Sequence, residues 1–367
     1  MIQFEARPGI LDLSWGHPRP ELLPTAEWGV AQAGALRASG WRALTYGYAA
    51  GPHPLTDWLA ARLARIEGGT PQPESLFVTA GASHALALLA SLLVEPGDVV
   101  LVDEPTYHLA FQIIADARAE LRSVPAGDPA AVAAKVRAIR AEGRRVAFLY
   151  LVPTFANPTG RSLEPAARRA LVEIEGLTVV EDDTYRELVY EGSAPPSLWH
   201  LAGGRNVIRI GSFAKTVAPG LRLGWISGTP GLVNRLASLG YVHSGGGVNH
   251  TTAVTMAEFG TSGAYDTHLA RLRDAYRAQR DALVGALSPY TSIMRPAGGW
   301  FLWVTMPPGR SAVDLLPVAE RQGVSFVPGP SFHLRGDGGH DRLRLSFSLL
   351  PPDDLAEAAA RLIVALG

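Results

Sequence analysis

Leu76-Phe-Val-Thr-Ala80-Gly-Ala-Ser-His-Ala85-Leu-Ala-Leu-Leu-Ala90-Ser-Leu-Leu-Val-Glu95-Pro-Gly-Asp-Val-Val100-Leu-Val-Asp103 is the stretch from which the fold is read. Residues 76–80 are a short β-rich run. Gly81 turns the chain, and residues 82–94 form a strongly helical run. Pro96-Gly97-Asp98 marks a turn, and residues 99–103 are apolar again.

The same alternation runs outward from this unit. Helices are predicted at 107–115, 129–141 and 165–174. Strands are predicted at 146–152, 177–181, 207–211 and 223–227. Apolar strands alternating with helices predict a mainly parallel sheet covered on both faces, a three-layer α/β/α domain. Beyond about residue 230 the pattern changes. Helices dominate to 286, with 265–287 the longest. Short strands near 300–305, 325–327 and 343–348 and a last helix over 352–366 predict a smaller α+β domain. Upstream, a proline-rich arm runs through Pro24, followed by helices at 25–39 and 54–67. The expected division is 1–40 for the arm and the start of the small domain, 41–265 for the large domain and 266–367 for the small one.

The bulk numbers narrow the function. The chain has 367 residues, 47% hydrophobic and 18% charged, with a net charge of −1 and no cysteine. A core of ordinary size is expected, and no global field draws the chain to nucleic acid or anionic lipid. Disulfides and thiolate chemistry are excluded. No apolar leader precedes residue 13, and the apolar stretch 85–94 is too short to span a bilayer. A cytoplasmic protein is the expectation.

Of the 33 basic residues only Lys135 and Lys215 are lysines. Lys135 lies in a helical run with charged neighbours, as a solvated side chain does. Lys215 sits among apolar and small residues, in Ile208-Arg-Ile-Gly-Ser-Phe-Ala-Lys215-Thr-Val-Ala-Pro-Gly220. Arginine would serve an ordinary salt bridge there. A retained lysine points to an amine that must lose its proton, with a satisfied, partly buried lysine as the alternative.

Open α/β sheets place ligands at the carboxyl ends of their strands. Gly81-Ala82-Ser83 opens a helix there, either as an anion site or as a plain turn. Asn157-Pro158-Thr159-Gly160 is a turn after a strand. Asp182 and Asp183 end another strand, with metal ligation, capping or a cofactor contact as possible roles. Ser212, Lys215 and Arg222 follow from a single segment. Arg222, between Leu221 and Leu223, calls for a buried anion partner, with a surface salt bridge as the alternative.

Taken in order, these motifs resemble the class I/II aminotransferases of the fold-type-I pyridoxal-phosphate superfamily. The nearest likeness is to the branch with kynurenine and 2-aminoadipate aminotransferases and the enzyme-like domain of certain bacterial regulators. The resemblance is carried by Thr79-Ala-Gly-Ala-Ser-His-Ala-Leu86, Asp103-Glu-Pro-Thr-Tyr107, Asn157-Pro-Thr-Gly160, Glu181-Asp-Asp-Thr-Tyr185, Ser212-Phe-Ala-Lys215 with Pro219-Gly-Leu-Arg222-Leu-Gly224, and Arg342-Leu-Arg-Leu-Ser-Phe347. These stretches span nearly the whole chain.

The resemblance implies the following roles. Lys215 holds pyridoxal 5′-phosphate as a Schiff base and later moves the substrate Cα proton. Asp182 pairs with the pyridine nitrogen. Tyr185 and Asn157 bond the ring oxygen, and Tyr107 stacks on the ring. The phosphate lies on the backbone of Ala82 and Ser83, on Ser212 and on Arg222. Tyr46, two positions from Tyr48, reaches the phosphate of a neighbouring subunit, which implies a homodimer with shared sites. Arg344 grips the substrate carboxylate, with Arg342 competing for the role. Gly16 belongs to an arm that closes over the substrate, where Trp15 and His17 either line the pocket or simply pack.

The implied reaction moves an amino group between an L-amino acid (aromatic, 2-aminoadipate-like or long apolar) and a 2-oxo acid. Lyase, oxidase and cyclase chemistries share the same cofactor grip. Tyr185 counts against the acyl-condensing branch, which usually carries histidine there. A regulator's DNA-binding domain finds no room before Gly16. Three departures from the family pattern stand out: Ala-Ser-His after Gly81, Phe155-Ala156 before Asn157, and the glycine-rich stretch 244–249, read as a mobile loop or a helix connector.

Overall fold

The computed structural model describes residues 7–68 and 71–367. In chain order its strands are β1 (Leu11–Asp12), β2 (Leu76–Thr79), β3 (Val99–Asp103), β4 (Glu120–Val124), β5 (Val146–Leu151), β6 (Val179–Asp182), β7 (Val207–Ser212), β8 (Gly224–Ser227), β9 (Phe301–Thr305), β10 (Val324–Ser325), β11 (Val327–Pro328) and β12 (Arg342–Ser346). Strands β2 to β8 form one seven-stranded sheet, ordered β2-β8-β7-β6-β5-β3-β4. Strands β5, β6 and β7 are buried at every residue. Strand β5 is the apolar run that a sheet covered on both faces favours, while β6 and β7 also bury Glu181, Asp182 and Arg209.

Only β8 runs against its neighbours, pairing antiparallel with both β2 and β7. The other strands therefore end along one edge, carrying Asp103, Asp182 and Ser212. Because β8 is reversed, its start also lies on that edge, and Gly224 faces Ser212 and Thr79. Arg222 is thereby brought to the same line as Asp182. A side chain on Gly224 would put a Cβ 2.6 Å from the Gly211 carbonyl and 3.1 Å from the Gly81 Cα. Glycine is what lets these three backbones meet.

Helices Thr25–Ser39, Pro129–Ala141 and Pro352–Leu366 fall where the sequence predicts them. Three segments differ. The helix predicted from 107 begins at Leu109, because Thr106 and Tyr107 still belong to the loop leaving β3. The strand predicted over 325–327 is two short strands that pair with different partners. Strand β4 was not predicted: it is a sheet edge of sequence Glu-Leu-Arg-Ser-Val, with only Val124 buried.

A second, three-stranded antiparallel sheet, β11-β12-β9, sets Arg344 opposite Trp303. The arm is stitched to this region. Strand β1 pairs in parallel with β10, the Ser346 amide donates to the Leu13 carbonyl at 2.7 Å, and the Arg19 amide to Ser348 at 3.0 Å.

Candidate active site

Asp182 ends β6 in a buried position. One carboxylate oxygen accepts from the Tyr150 hydroxyl of β5 at 2.9 Å; the other accepts from the Thr184 amide and hydroxyl. Burial pushes its pKa up, and those bonds pull it partly back. A cationic neighbour would complete the balance.

Its neighbour Asp183 turns the other way. It pairs with Arg186 and, at 2.9 Å, with Arg209, which also meets Glu67 at 3.1 Å. All four side chains are buried, and the two guanidinium groups hold Asp183 below the usual carboxylate range against the desolvation that opposes it. The adjacent aspartates thus divide the work. Asp182 faces the site, and Asp183 ties the strand end into an ionic cluster beneath it.

Lys215 follows β7 and is partly buried. Its amine donates to the Gly16 carbonyl at 3.3 Å and lies 4.5 Å from the centre of the Trp300 ring. Burial lowers its pKa to about 8; Asp182 opposes that shift, while Arg344 and Arg222 add to it. A substantial fraction of the amine is therefore neutral near pH 8, as a nucleophile and proton carrier requires. Tyr185 is buried against Trp300 and Phe301 at ring distances of 6.0 and 5.8 Å, and burial pushes its phenol well up. Tyr107 is half-buried on the loop after β3, its phenol also raised by burial and by Asp182.

The anion end is built from backbone. Gly81 has φ 92°, which frees the first turn of the helix Ala82–Leu93. Ala82 is half-buried and Ser83 exposed. The buried Ser212 hydroxyl accepts from the Ala214 amide at 3.1 Å. Arg222, expected to meet a buried anion, the cofactor phosphate in the resemblance, is exposed in the single chain. Its φ of 47° swings the side chain out from between its two leucines, so it is exposed. The guanidinium donates to the Ala80 and Pro219 carbonyls at 3.2 and 3.3 Å, and among the described residues it forms no ion pair with a carboxylate. A cation beside free helix amides, with no acid to neutralise it, fits a phosphate. His84, one of the departures, is also explained: its Nδ1 accepts from the Ala80 amide at 3.0 Å and helps shape the loop.

Arg344 is 4% exposed. It lies over the rings of Phe301 at 4.5 Å and Phe332 at 5.1 Å. It donates to Asn157 Oδ1 at 3.3 Å and to the Ser14 carbonyl, while its Nε has no hydrogen-bond partner. Among the described residues it has no ion pair. Desolvation pulls its pKa down to about 10. A buried guanidinium without an acid is ready for a carboxylate ligand. Arg342, two residues earlier, is instead bound to Thr305 and to Asp341. Asn157, buried beside its proline, accepts the Arg344 bond at that end of the site.

Tyr46 stands apart from this cluster. It is 84% exposed and lines a cavity of about 300 Å³ together with Tyr48, Ser244, Gly245, Val248 and His250. The glycine-rich stretch connects the helices Gly240–His243 and His250–Thr261, and a Cβ on Gly245 would lie 3.0 Å from the Tyr46 ring. Gly16 lies against Phe301, where a Cβ would meet the ring at 3.0 Å. Tyr150 and Trp300 were not singled out from the sequence. Tyr150 carried a signal, a lone hydroxyl in the apolar strand β5; Trp300 carried none.

A lysine whose pKa burial lowers, a buried aspartate and two arginines without an acid partner among the described residues fit a pyridoxal-phosphate enzyme of fold type I. The aminotransferase class I and II family matches residues 9–362, and the chain belongs to it. It is 35% identical to the 2-aminoadipate transaminase of Thermus thermophilus, over 99% of this chain and 91% of that one. It is 30% identical to aromatic-amino-acid aminotransferase 1 of Thermococcus litoralis, over 96% and 87%. The solved kynurenine aminotransferase of Pyrococcus horikoshii superposes with a TM-score of 0.89 at 29% identity, covering 98% of this chain and 91% of that one. Pyridoxal 5′-phosphate is the cofactor, and amino-group transfer the activity.

Proposed function

We propose that the enzyme transfers the amino group of an L-amino acid with an aromatic, long apolar or 2-aminoadipate-like side chain to a 2-oxo acid. The observation that carries the proposal is Arg344, a buried cation without an acid, flanked by Phe301 and Phe332. It grips the α-carboxylate and leaves the side chain to an aromatic wall. The relatives named for 2-aminoadipate, aromatic amino acids and kynurenine support the same range of donors.

When bound, the cofactor supplies an electron sink for the carbanion at the substrate Cα. The residues do the rest. Lys215 would hold the cofactor covalently, and its freed amine would take the Cα proton and return it two atoms away, across the imine nitrogen. Asp182 keeps the pyridine nitrogen protonated. Tyr185 and Asn157 bond the ring oxygen, and Tyr107 covers the ring face. Ala82, Ser83, Ser212 and Arg222 hold the phosphate. Gly16 lets the arm approach.

The same proposal includes a homodimer in the cytoplasm, with Tyr46 completing the partner's phosphate site. Trp41, Leu44, Tyr46 and Tyr48 are between 64% and 84% exposed, an apolar surface that a second subunit would cover. Within each chain, the arm 1–40 and the small domain 266–367 close against the large domain 41–265.

The test is spectroscopic. The enzyme is purified with pyridoxal phosphate and single amino acids are added without any oxo acid. One class of donor is expected to remove the visible band lastingly, and 2-oxoglutarate to restore it. Lys215→Ala is the control without the covalent band. Release of ammonia with only transient absorption would move the enzyme to the lyases or oxidases instead. Absence of the band in the wild type would sink the Lys215 assignment.

A further inference from the structure

Two neighbours of the Lys215 amine have no part in the chemistry above. One is the Gly16 carbonyl; the other is Trp300, completely buried and presenting its ring to Nζ at 4.5 Å. The indole meets Tyr185 edge-on at 6.0 Å and Tyr276 at 5.5 Å. Its Nε1 has no hydrogen-bond partner, so packing alone fixes the ring. The next residue, Phe301, gives its own ring to Arg344. Two consecutive aromatic residues, Trp300 just before β9 and Phe301 at its start, thus each lie against one cation of the site, Lys215 and Arg344.

We propose that Trp300 is a positioning residue for Lys215: its indole face stabilises the charged form of the free amine and confines it to the wall between the arm and Tyr185. The physical ground is the negative face of the indole, which attracts a desolvated ammonium strongly enough to move its titration by on the order of one pH unit. Every charged group facing the amine enters the balance. Asp182 from β6 favours the ammonium, while Arg344 from β12 and Arg222 from the segment before β8 oppose it. The arm adds one neutral acceptor, the Gly16 carbonyl. Tyr185 and Tyr107 are phenols held neutral by burial. Burial and two arginines thus push the proton off, and the indole face is a neutral surface that pulls the other way. A lysine side chain has four rotatable bonds. A fixed aromatic face and one carbonyl restrict where its head rests whenever the amine is free.

The inference rests on Lys215 as the cofactor lysine, so the amine is read directly in the cofactor-free, full-length chain. The chain has two lysines. Lysine labelled with ¹³C at Cε therefore gives two signals, and Lys135 is the internal control. Trp300→Leu is expected to lower the Lys215 midpoint by on the order of one pH unit, and Trp300→Phe, which keeps a weaker face, by less than half of that. Lys135 should not move. A second measurement survives if Trp300→Leu fails to fold. Biosynthetic incorporation of mono-, di- and tetrafluorinated tryptophan nearly preserves volume while draining the ring face, and the Lys215 midpoint should fall stepwise along the series. A midpoint that stays put, in the leucine variant or along the fluorinated series, overturns the proposal. Failure of the Schiff-base assignment would show separately, as a wild-type holoenzyme with no visible band.

Discussion

The two ends of the site hold their arginines in opposite ways. Arg344 is 4% exposed, clamped between two rings and bonded within its own chain to Asn157 and Ser14. Arg222 is exposed, twisted out by a left-handed backbone, and satisfied by two carbonyls. The contrast concerns what a single chain can finish. Selection of a carboxylate needs a dry, fixed cation, and the small sheet and arm supply it. Holding a phosphate needs free amides and a nearby charge, and that end is left open, consistent with the proposal that a second subunit closes it through Tyr46.

The largest effect should come from the dry end. Arg344→Leu is expected to lower kcat/KM by about 10²–10³-fold, through loss of a charge-assisted, bidentate contact and of the orientation it imposes. Its cofactor absorbance should stay normal. Saturation kinetics and a spectrum check both, and a lost band would show that the two ends are not separate.

Between the ends lies Lys215, and its titration gauges how dry the middle is. Burial lowers the folded pKa to about 8, whereas an unfolded lysine titrates near about 10.4. The folded form is the poorer proton acceptor. The native lysine therefore weakens the fold fully below pH 8, and the penalty fades as pH rises through the unfolded value. Lys215→Met should stabilise the cofactor-free chain by up to roughly 3 kcal/mol at pH 7, about 10²-fold in the folding equilibrium. Urea melts at pH 7 and pH 10.5 test it: the same gain at both would contradict a dry middle.

At the open end the effects shrink. Arg222→Leu should weaken cofactor binding about tenfold, since an exposed cation is screened by water and salt. Titrations at low and high salt should converge for the variant and the wild type, and a loss that ignores salt would mean that the end is closed. Tyr46→Phe removes one hydroxyl and should weaken binding only a few-fold. That difference should vanish once dilution separates the subunits; a difference that persists in single chains would place Tyr46 in its own site.

Much of this arrangement was legible in the sequence. The run 146–152 predicts a central strand, because a parallel strand covered on both faces is mostly apolar. Lys215 stood out because the chain uses arginine almost everywhere else. The exposure of the Arg222 side chain was not legible, because flanking leucines predict burial only when the backbone stays in an ordinary region, and φ is not written in composition. Asp182 and Asp183 could be told apart only through the family resemblance, since the physical choice depends on Arg209, on the next strand, and on Glu67, more than a hundred residues upstream. Trp300 left no trace because its partner, the Lys215 amine, comes from a segment far away in the chain, and only the fold brings the two together. Strand β4 went unseen because an edge need not be apolar.

The clamped guanidinium of Arg344 has one more consequence, in what the enzyme refuses. A primary amine or an amino-acid amide entering this pocket would seal the mouth over a cation that water can no longer reach and that no anion has met. Such a molecule is rejected by more than one missing contact, because it strands a charge in an aromatic slot. Cellular polyamines and amidated peptides would then be turned away at the threshold, with no residue dedicated to repelling them.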